Sequence, residues 1–335
     1  MINDIYIDIQ KRRKRINFSF QENKFITTIK KNTVKYNVDN ISRTKAYAMF
    51  YKSFPEVKWS FLASMVSRNA GWNMTDLEGK WFKLALDARQ RLSFFLTYEL
   101  ANWTIFRDAF PQLLLYRLSL YYNKPLFHLL KAFNVSCFME AEWQWFWENK
   151  DEKRLINSLI INEQNIIQEP VLHNHLLRKK VFGTVSYIIQ DFGHYSCVVF
   201  PTLEGKLYGF SVHGFQKLDN RISLGQKLAS LLFSPIYSEK FHQFSEMTEH
   251  SGSRYDYEQY ISRKLYRETP ILRSVYPVIA HPLNESQKDW VFIKKKKLKK
   301  WSKRTDSINS YPEITKWFIH KQHQMQGIIA LKHGL

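Results

Sequence analysis

The sequence predicts a mainly α protein, a multi-helix globular bundle with one small antiparallel β element near residues 181–213. Three observations carry that expectation. Apolar residues recur at helical spacing along most of the 335-residue chain, glycine (11) and proline (10) are scarce, and only one stretch turns to β-branched and aromatic texture. With 44% apolar and 16% aromatic residues the chain can bury one or two full cores, which excludes disorder and a collagen-like repeat. Two cysteines are too few for a disulfide scaffold.

Residues 1–40 combine the run Lys11-Arg12-Arg13-Lys14-Arg15 with the β-prone Phe25-Ile26-Thr27-Thr28-Ile29, the pattern of a loosely packed basic arm. The core begins near Ile41, where Ser42 precedes Ala46, Met49 and Phe50 on one helical side, and Pro55 marks the next start. From Glu56, the spacing of Trp59, Leu62 and Val66 predicts an amphipathic helix that ends near Asn69-Ala70-Gly71. Thr75-Asp76-Leu77-Glu78 reads as a capping box, in which hydroxyl and carboxylate satisfy backbone donors at the start of a long helix to about Leu100. Aromatic-dense helices over 103–109, 111–122 (with Pro111 at its start) and 125–133 follow. Another runs from Glu140, and Leu155-Ile156, Leu159-Ile160 and Ile166-Ile167 extend helix through 152–180.

Between 181 and 213, Thr184, Val185, Tyr187, Val198, Val199 and Phe200 predict two or three short strands, with a turn at Glu204-Gly205. A helical alternative for part of this stretch stays open. Helices are expected again over 224–233, 254–265, 270–276 and 312–331. The implied organisation is a basic N-terminal arm (1–40), a helical core (41–290, as one unit or as packed lobes 41–180 and 181–290) and a basic C-terminal segment (291–335).

The formal charge of +20 is unevenly placed. Residues 1–40 hold nine Lys/Arg against four Asp/Glu, and residues 291–335 hold eleven against two, so the 250 residues between them carry only +6. No basic start followed by an apolar stretch opens the chain, and 181–200 is broken by Gln190, Asp191 and Gly193. These features predict a cytoplasmic protein without a transmembrane segment, at most peripheral at a membrane. Cys137 and Cys197 lie sixty residues apart, without metal or redox spacing, and are expected to be buried small apolar residues.

The densest group of chemically able residues spans 248–260. One interpretation is a helix start, with Ser253 and Asp256 as a capping pair and Gly252 allowing the entry. The other uses Ser253, the helix N–H groups and Arg254 to hold an anion, while His250 donates or removes a proton, with Asp256 beside them in the candidate set. Together with His194, Arg68 and Asn69 these residues form the candidate catalytic set. His173-Asn174-His175 has one-residue spacing in helical texture, the remaining histidines are scattered, and no metal site or cofactor is expected. Asp191-Phe192-Gly193 matches a kinase magnesium motif by letters, yet no Gly-rich loop or His-Arg-Asp loop accompanies it, and a turn explains it. The stretch from Leu62 to Asn73 resembles in outline the helix that carries the catalytic acid of lytic transglycosylases. Asn69 stands where that family needs Glu, and an amide cannot protonate a glycosidic oxygen. What remains is a polar cluster, Arg68, Asn69, Asn73 and Asp76, that is either a buried network or part of a site.

The basic ends point to binding. Lys294, Lys295, Lys296, Lys297, Lys299 and Lys300, flanked by Trp290 and Trp301, combine positive charge with aromatic anchors, as needed for an anionic membrane surface or for nucleic-acid phosphates with stacked bases. On this reading, deleting 294–304 removes polyanion binding and leaves the fold intact.

Arg43-Thr44-Lys45-Ala46-Tyr47, Phe54-Pro55-Glu56-Val57-Lys58-Trp59, the stretch from Ser67 to Leu77, that from Phe200 to Phe210, and that from His250 to Tyr260 together resemble the uncharacterised YppC family of Bacillus and relatives, a domain of unknown function. The resemblance covers about residues 41–290 and implies a cytoplasmic protein of Firmicutes origin. It transfers no activity or catalytic residue. The expected function is therefore non-catalytic binding of a polyanionic or phosphate-bearing partner through the basic ends. The alternative is an enzyme of unknown reaction with a pocket around His250, Arg254 and Asp256.

Overall fold

A computed structural model describes residues 17–184, 187, 196–261, 268–282, 289–290, 297–302, 311 and 313–334. Helices α1 (Phe20–Tyr36), α2 (Asn40–Ser53), α3 (Lys58–Asp76), α4 (Lys80–Ala85) and α5 (Ala88–Tyr121) come first. A 3-10 turn, Phe127–Phe133, leads to α6 (Cys137–Asn149) and α7 (Glu152–Ile166), and the chain then winds through wide π-turns at Gln168–Leu172 and Arg178–Phe182. Strands β1 (Cys197–Pro201) and β2 (Leu207–Ser211) form one antiparallel hairpin with Val199 opposite Gly209. Helices α8 (Leu218–Leu232) and α9 (Ser238–Met247), single turns α10 (Tyr255–Glu258) and α11 (Leu272–Val275), and α12 (Thr315–His333) complete it. The fold is thus mainly helical with one small sheet, as the apolar periodicity requires.

Helix α3 is the axis of the molecule. Fifteen of its nineteen residues are buried, because α2, α5, α7, α8, α11 and β1 all pack on it. A helix enclosed on every side must also bury its polar residues, and each of those then needs a partner. Gly225 lets α8 approach α7: a Cβ there would stand 2.7 Å from Ile160 Cγ2. Gly205 turns the hairpin at φ +75°, at the expected position. Cys137 and Cys197 are buried thiols.

Several local expectations change. The stretch 25–29 is helical, because Ser19 and Glu22 form a capping box and Ile26 and Ile29 bury one face of α1 against α5. Helix α3 runs on past Gly71 to Asp76, so Thr75-Asp76-Leu77-Glu78 ends a helix and does not start one; the true box is Asp87 with Gln90, opening α5. Pro111 lies inside the 34-residue α5, which joins the two helices expected around it. Proline removes one hydrogen bond there, and the buried Phe106, Phe110, Leu113 and Leu114 hold the helix through it. The helices expected over 254–265 and 270–276 are single turns where described, and Tyr187 is helical where a strand was expected.

Candidate functional site

The long-range partners of α3 converge on the segment from Thr248 to Tyr260. Asp256 is the acceptor at the centre: Trp72 Nε1 donates to its Oδ2 at 2.9 Å, Ser251 N at 3.2 Å, and the Ser251 hydroxyl holds Oδ1. His250 Nδ1 stands 3.2 Å from Asp256 Oδ2, and Nε2 stands 2.8 Å from Asn40 Oδ1, while Asn40 Nδ2 donates to Ser67 O. Both ring nitrogens therefore face oxygen acceptors, so the proton between Nδ1 and Oδ2 belongs to the pair. Burial pushes the imidazole toward its neutral form and the Asp256 hydrogen bond pulls against it. Burial raises the Asp256 carboxyl, but His250, Ser251 and Trp72 outweigh this and hold it below its ordinary range.

Arg254 forms the second half. Its Nε donates to Asp76 Oδ2 at 2.7 Å, Nη1 to Tyr257 Oη at 2.8 Å and Nη2 to Asn73 Oδ1 at 2.7 Å, while its face covers the Phe318 ring of α12. Burial disfavours the cation, yet Asp76 and Tyr257 hold its pKa above the ordinary value. Gly252 O accepts from Thr75 Oγ1. Ser253 Oγ accepts from Tyr255 N, the first N–H of α10, at 3.2 Å and donates to Thr269 O, but Asp256 does not return the bond as a capping partner; the backbone N–H of Arg254 goes to Thr269 Oγ1. The anion-attracting helix start expected here is a four-residue turn whose first donors are already engaged.

Asn69 has a structural task. Its Nδ2 donates to Val199 O at 2.9 Å and its Oδ1 accepts from Val199 N at 2.8 Å, so the side chain pairs with β1 as a neighbouring strand would and docks the hairpin on α3. Arg68 donates to Ser245 O and lies over Phe244; burial pushes its guanidinium down to about 10, and its Nε and Nη1 have no hydrogen-bond partner among the described residues. Arg68 and Asn69 of α3 and His250, Arg254 and Asp256 of the 248–260 segment are thus packed around the same helix. His194 and Lys294–296 lie outside the described residues, as does Asp191-Phe192-Gly193. Among the described residues no group of three or more His, Cys, Asp or Glu is arranged to hold a metal, and no helix is long and apolar enough to cross a membrane.

Two of the open spaces among the described residues bear on this network. One, of about 210 Å³, lies between α3, α5, the π-turns and the hairpin, and among the described residues no charged side chain lines it. The other, of about 330 Å³, is lined by Asp39, Glu99, Arg273 and Tyr276. At its floor Glu99 is paired with Arg43, both almost fully buried, and its Oε1 stands 3.6 Å from His281 Nε2. Burial alone raises this carboxyl; His281 and Arg43 outweigh it and hold it low. Neither space is lined by His250, Arg254 or Asp256. Sequence reasoning passed over Arg43, Glu99, His281 and Asn40, since nothing local distinguishes a buried ion pair from a solvated charge.

Trp290 and Trp301, expected as exposed anchors, are 8% and 4% exposed. Trp290 Nε1 donates to Asn162 Oδ1 and Trp301 Nε1 to Asp219 Oδ1, with Leu298 buried beside them. Deleting 294–304 would therefore take Leu298 and Trp301 out of the core. Lys297, Lys299 and Lys300 remain exposed, Lys300 bridging to Asp219 at 2.8 Å.

A helical body threaded by one buried polar axis is the class these observations define, and comparison with known proteins gives it a family. Residues 35–319 match the model described as "Protein of unknown function (DUF2515)", and the chain belongs to that family. It is 46% identical over 312 residues to the "Uncharacterized protein YppC" of Bacillus subtilis (strain 168), a match that covers 93% of this chain and 96% of that protein. No solved structure matches.

Proposed function

We propose that this chain is a non-catalytic cytoplasmic protein that binds a phosphate-bearing polyanion through its basic ends. The observation that carries the reading is the build of 297–302: Leu298 and Trp301 are buried in the core while Lys297 and Lys299 face solvent. Positive charge is thereby held on a fixed support. At the other end, Lys24, Lys31 and Lys35 of α1 are exposed and their spacing sets them in one stripe along the helix, with Lys30 exposed beside it. With Trp290 and Trp301 enclosed, those rings offer no stacking or insertion, and the contact reduces to lysine against phosphate.

Lysine–phosphate contacts release counterions, so affinity for a duplex falls with salt at a log–log slope of roughly 0.9 per phosphate neutralised. Full-length protein titrated with random-sequence duplex DNA and with phosphatidylserine vesicles, from 50 to 200 mM salt, tests the reading; the better-bound ligand identifies the source of the phosphate. Lys297→Glu/Lys299→Glu, and separately Lys24→Glu/Lys31→Glu/Lys35→Glu, should weaken binding at unchanged stability. Retention on neither ligand at low salt, or binding indifferent to both variants, refutes it.

A further inference from the structure

We infer that the space between α3 and α5, whose described lining carries no charge, is a binding site for a neutral aliphatic molecule with a hydroxyl head. The site shows first as a pattern of exposure. On α3, Val66, Ala70 and Asn73 stay partly exposed while Met65, Asn69 and Trp72 between them are buried. On α5 the partly exposed residues include Ala101, Asn102 and Ile105. Spacings of three and four place each set on one side of its helix, and all six residues line the same cavity. Residues 66 to 73 span about 10 Å of helix at 1.5 Å per residue, so the space is elongated.

Its chemistry limits the occupant. In a chain of net charge +20, no Lys, Arg, His, Asp or Glu among the described residues lines the cavity. Against that lining a charged ligand would find no counter-charge, at a large desolvation cost. The volume of about 210 Å³ exceeds the roughly 150 Å³ known to hold a benzene-sized molecule. The hydroxyl-bearing Thr97, Tyr98, Tyr187 and Ser196 and four amides interrupt the apolar wall; Asn69 is spent on Val199 and Gln164 on Arg221 and Glu163, which leaves the amides of Asn73 and Asn102. Asn73 Oδ1 is taken by Arg254 Nη2, and its Nδ2 has no partner among the described residues. Asn102 Nδ2 donates to Tyr98 O, which leaves Oδ1 as an acceptor. One open donor and one open acceptor match a hydroxyl, which both accepts and donates. The apolar walls take the chain.

The test is a titration of the full-length protein with straight-chain primary alcohols from butanol to dodecanol, followed by calorimetry. Affinity should tighten about fourfold per added methylene, the equivalent of burying each one, and then level off at the length that fills the cavity. The methyl ether of a bound alcohol, which has no proton for Asn102 Oδ1, should bind roughly 2- to 10-fold more weakly. Asn102→Leu should remove that difference and keep the ether's affinity. Ala101→Trp should fill the cavity and abolish binding; Ala70→Leu narrows it from the opposite wall and should shorten the longest chain accepted. Absence of saturable binding to the wild-type protein overturns the inference. So does affinity that climbs with length without levelling, or Ala101→Trp that folds and binds as the wild type does.

Discussion

Replacing Arg254 by alanine separates a structural lock from a ligand site. The guanidinium is 5% exposed and holds Asp76, Tyr257 and Asn73 at 2.7–2.8 Å, linking the 250–257 segment to the C-terminal half of α3. Removing one member of a buried pair leaves the other charge uncompensated, which costs about 3–5 kcal/mol. Against a total stability on the order of 5–15 kcal/mol, that is a large fraction. With a urea m-value of about 3 kcal/mol/M, a loss of 4 kcal/mol lowers the unfolding midpoint by about 1.3 M. Urea unfolding followed by circular dichroism measures it. Asp76→Asn should cost a comparable amount, and the pair Arg254→Met with Asp76→Leu, which removes both charges, should be more stable than the sum of the single losses. A midpoint shift below about 0.3 M for Arg254→Ala, or strict additivity in the double variant, refutes the lock. A polyanion or catalytic activity lost from Arg254→Ala at unchanged midpoint would move the site to His250, Arg254 and Asp256.

Gly71→Ala places a Cβ within 2.9 Å of His250 Nε2 and closer still to Asn40 Oδ1, so it should break the Asn40–His250 bond and destabilise by about 1–3 kcal/mol; a thermal-melt midpoint equal to that of the wild type would contradict this. Trp301→Ala should cost about 3–5 kcal/mol by opening a cavity and releasing Asp219, whereas a free basic tail would unfold at the wild-type urea concentration. Asp108 accepts from Asn162 Nδ2 and Gln112 Nε2, and burial raises its carboxyl to about 7, so the folded state keeps a proton that the unfolded chain releases above about 3.8. Stability from this group is therefore lost as pH rises from about 4 to 7, and Asp108→Asn should gain on the wild type across that window; equal pH profiles in chemical denaturation would rule it out.

The legible part of the fold is the part set by period and local chemistry. Apolar spacing marked α3, α7, α8 and α12, and β-branched residues with Glu204-Gly205 marked the hairpin. Where a local signal had two outcomes, tertiary packing chose. Ile26 and Ile29 serve a strand or a helix equally, and burial against α5 made them helix. Thr75 and Asp76 resemble a cap, yet Gly252 and Arg254 compete for their side chains and win. The candidate set was legible as a list of polar residues but its meaning was not. Asn69 is an amide in the sequence and a strand partner only once Val199 arrives, 130 residues later. His250 needs Asn40, 210 residues away. The sequence by itself determined a helical, aromatic-rich body with its charge at the ends, because composition and periodicity are properties of neighbours along the chain. Only the tertiary structure decided that Trp290 and Trp301 are buried, that the His250–Arg254 group is packed and that a space opens between α3 and α5, because each depends on which distant surfaces exclude water together.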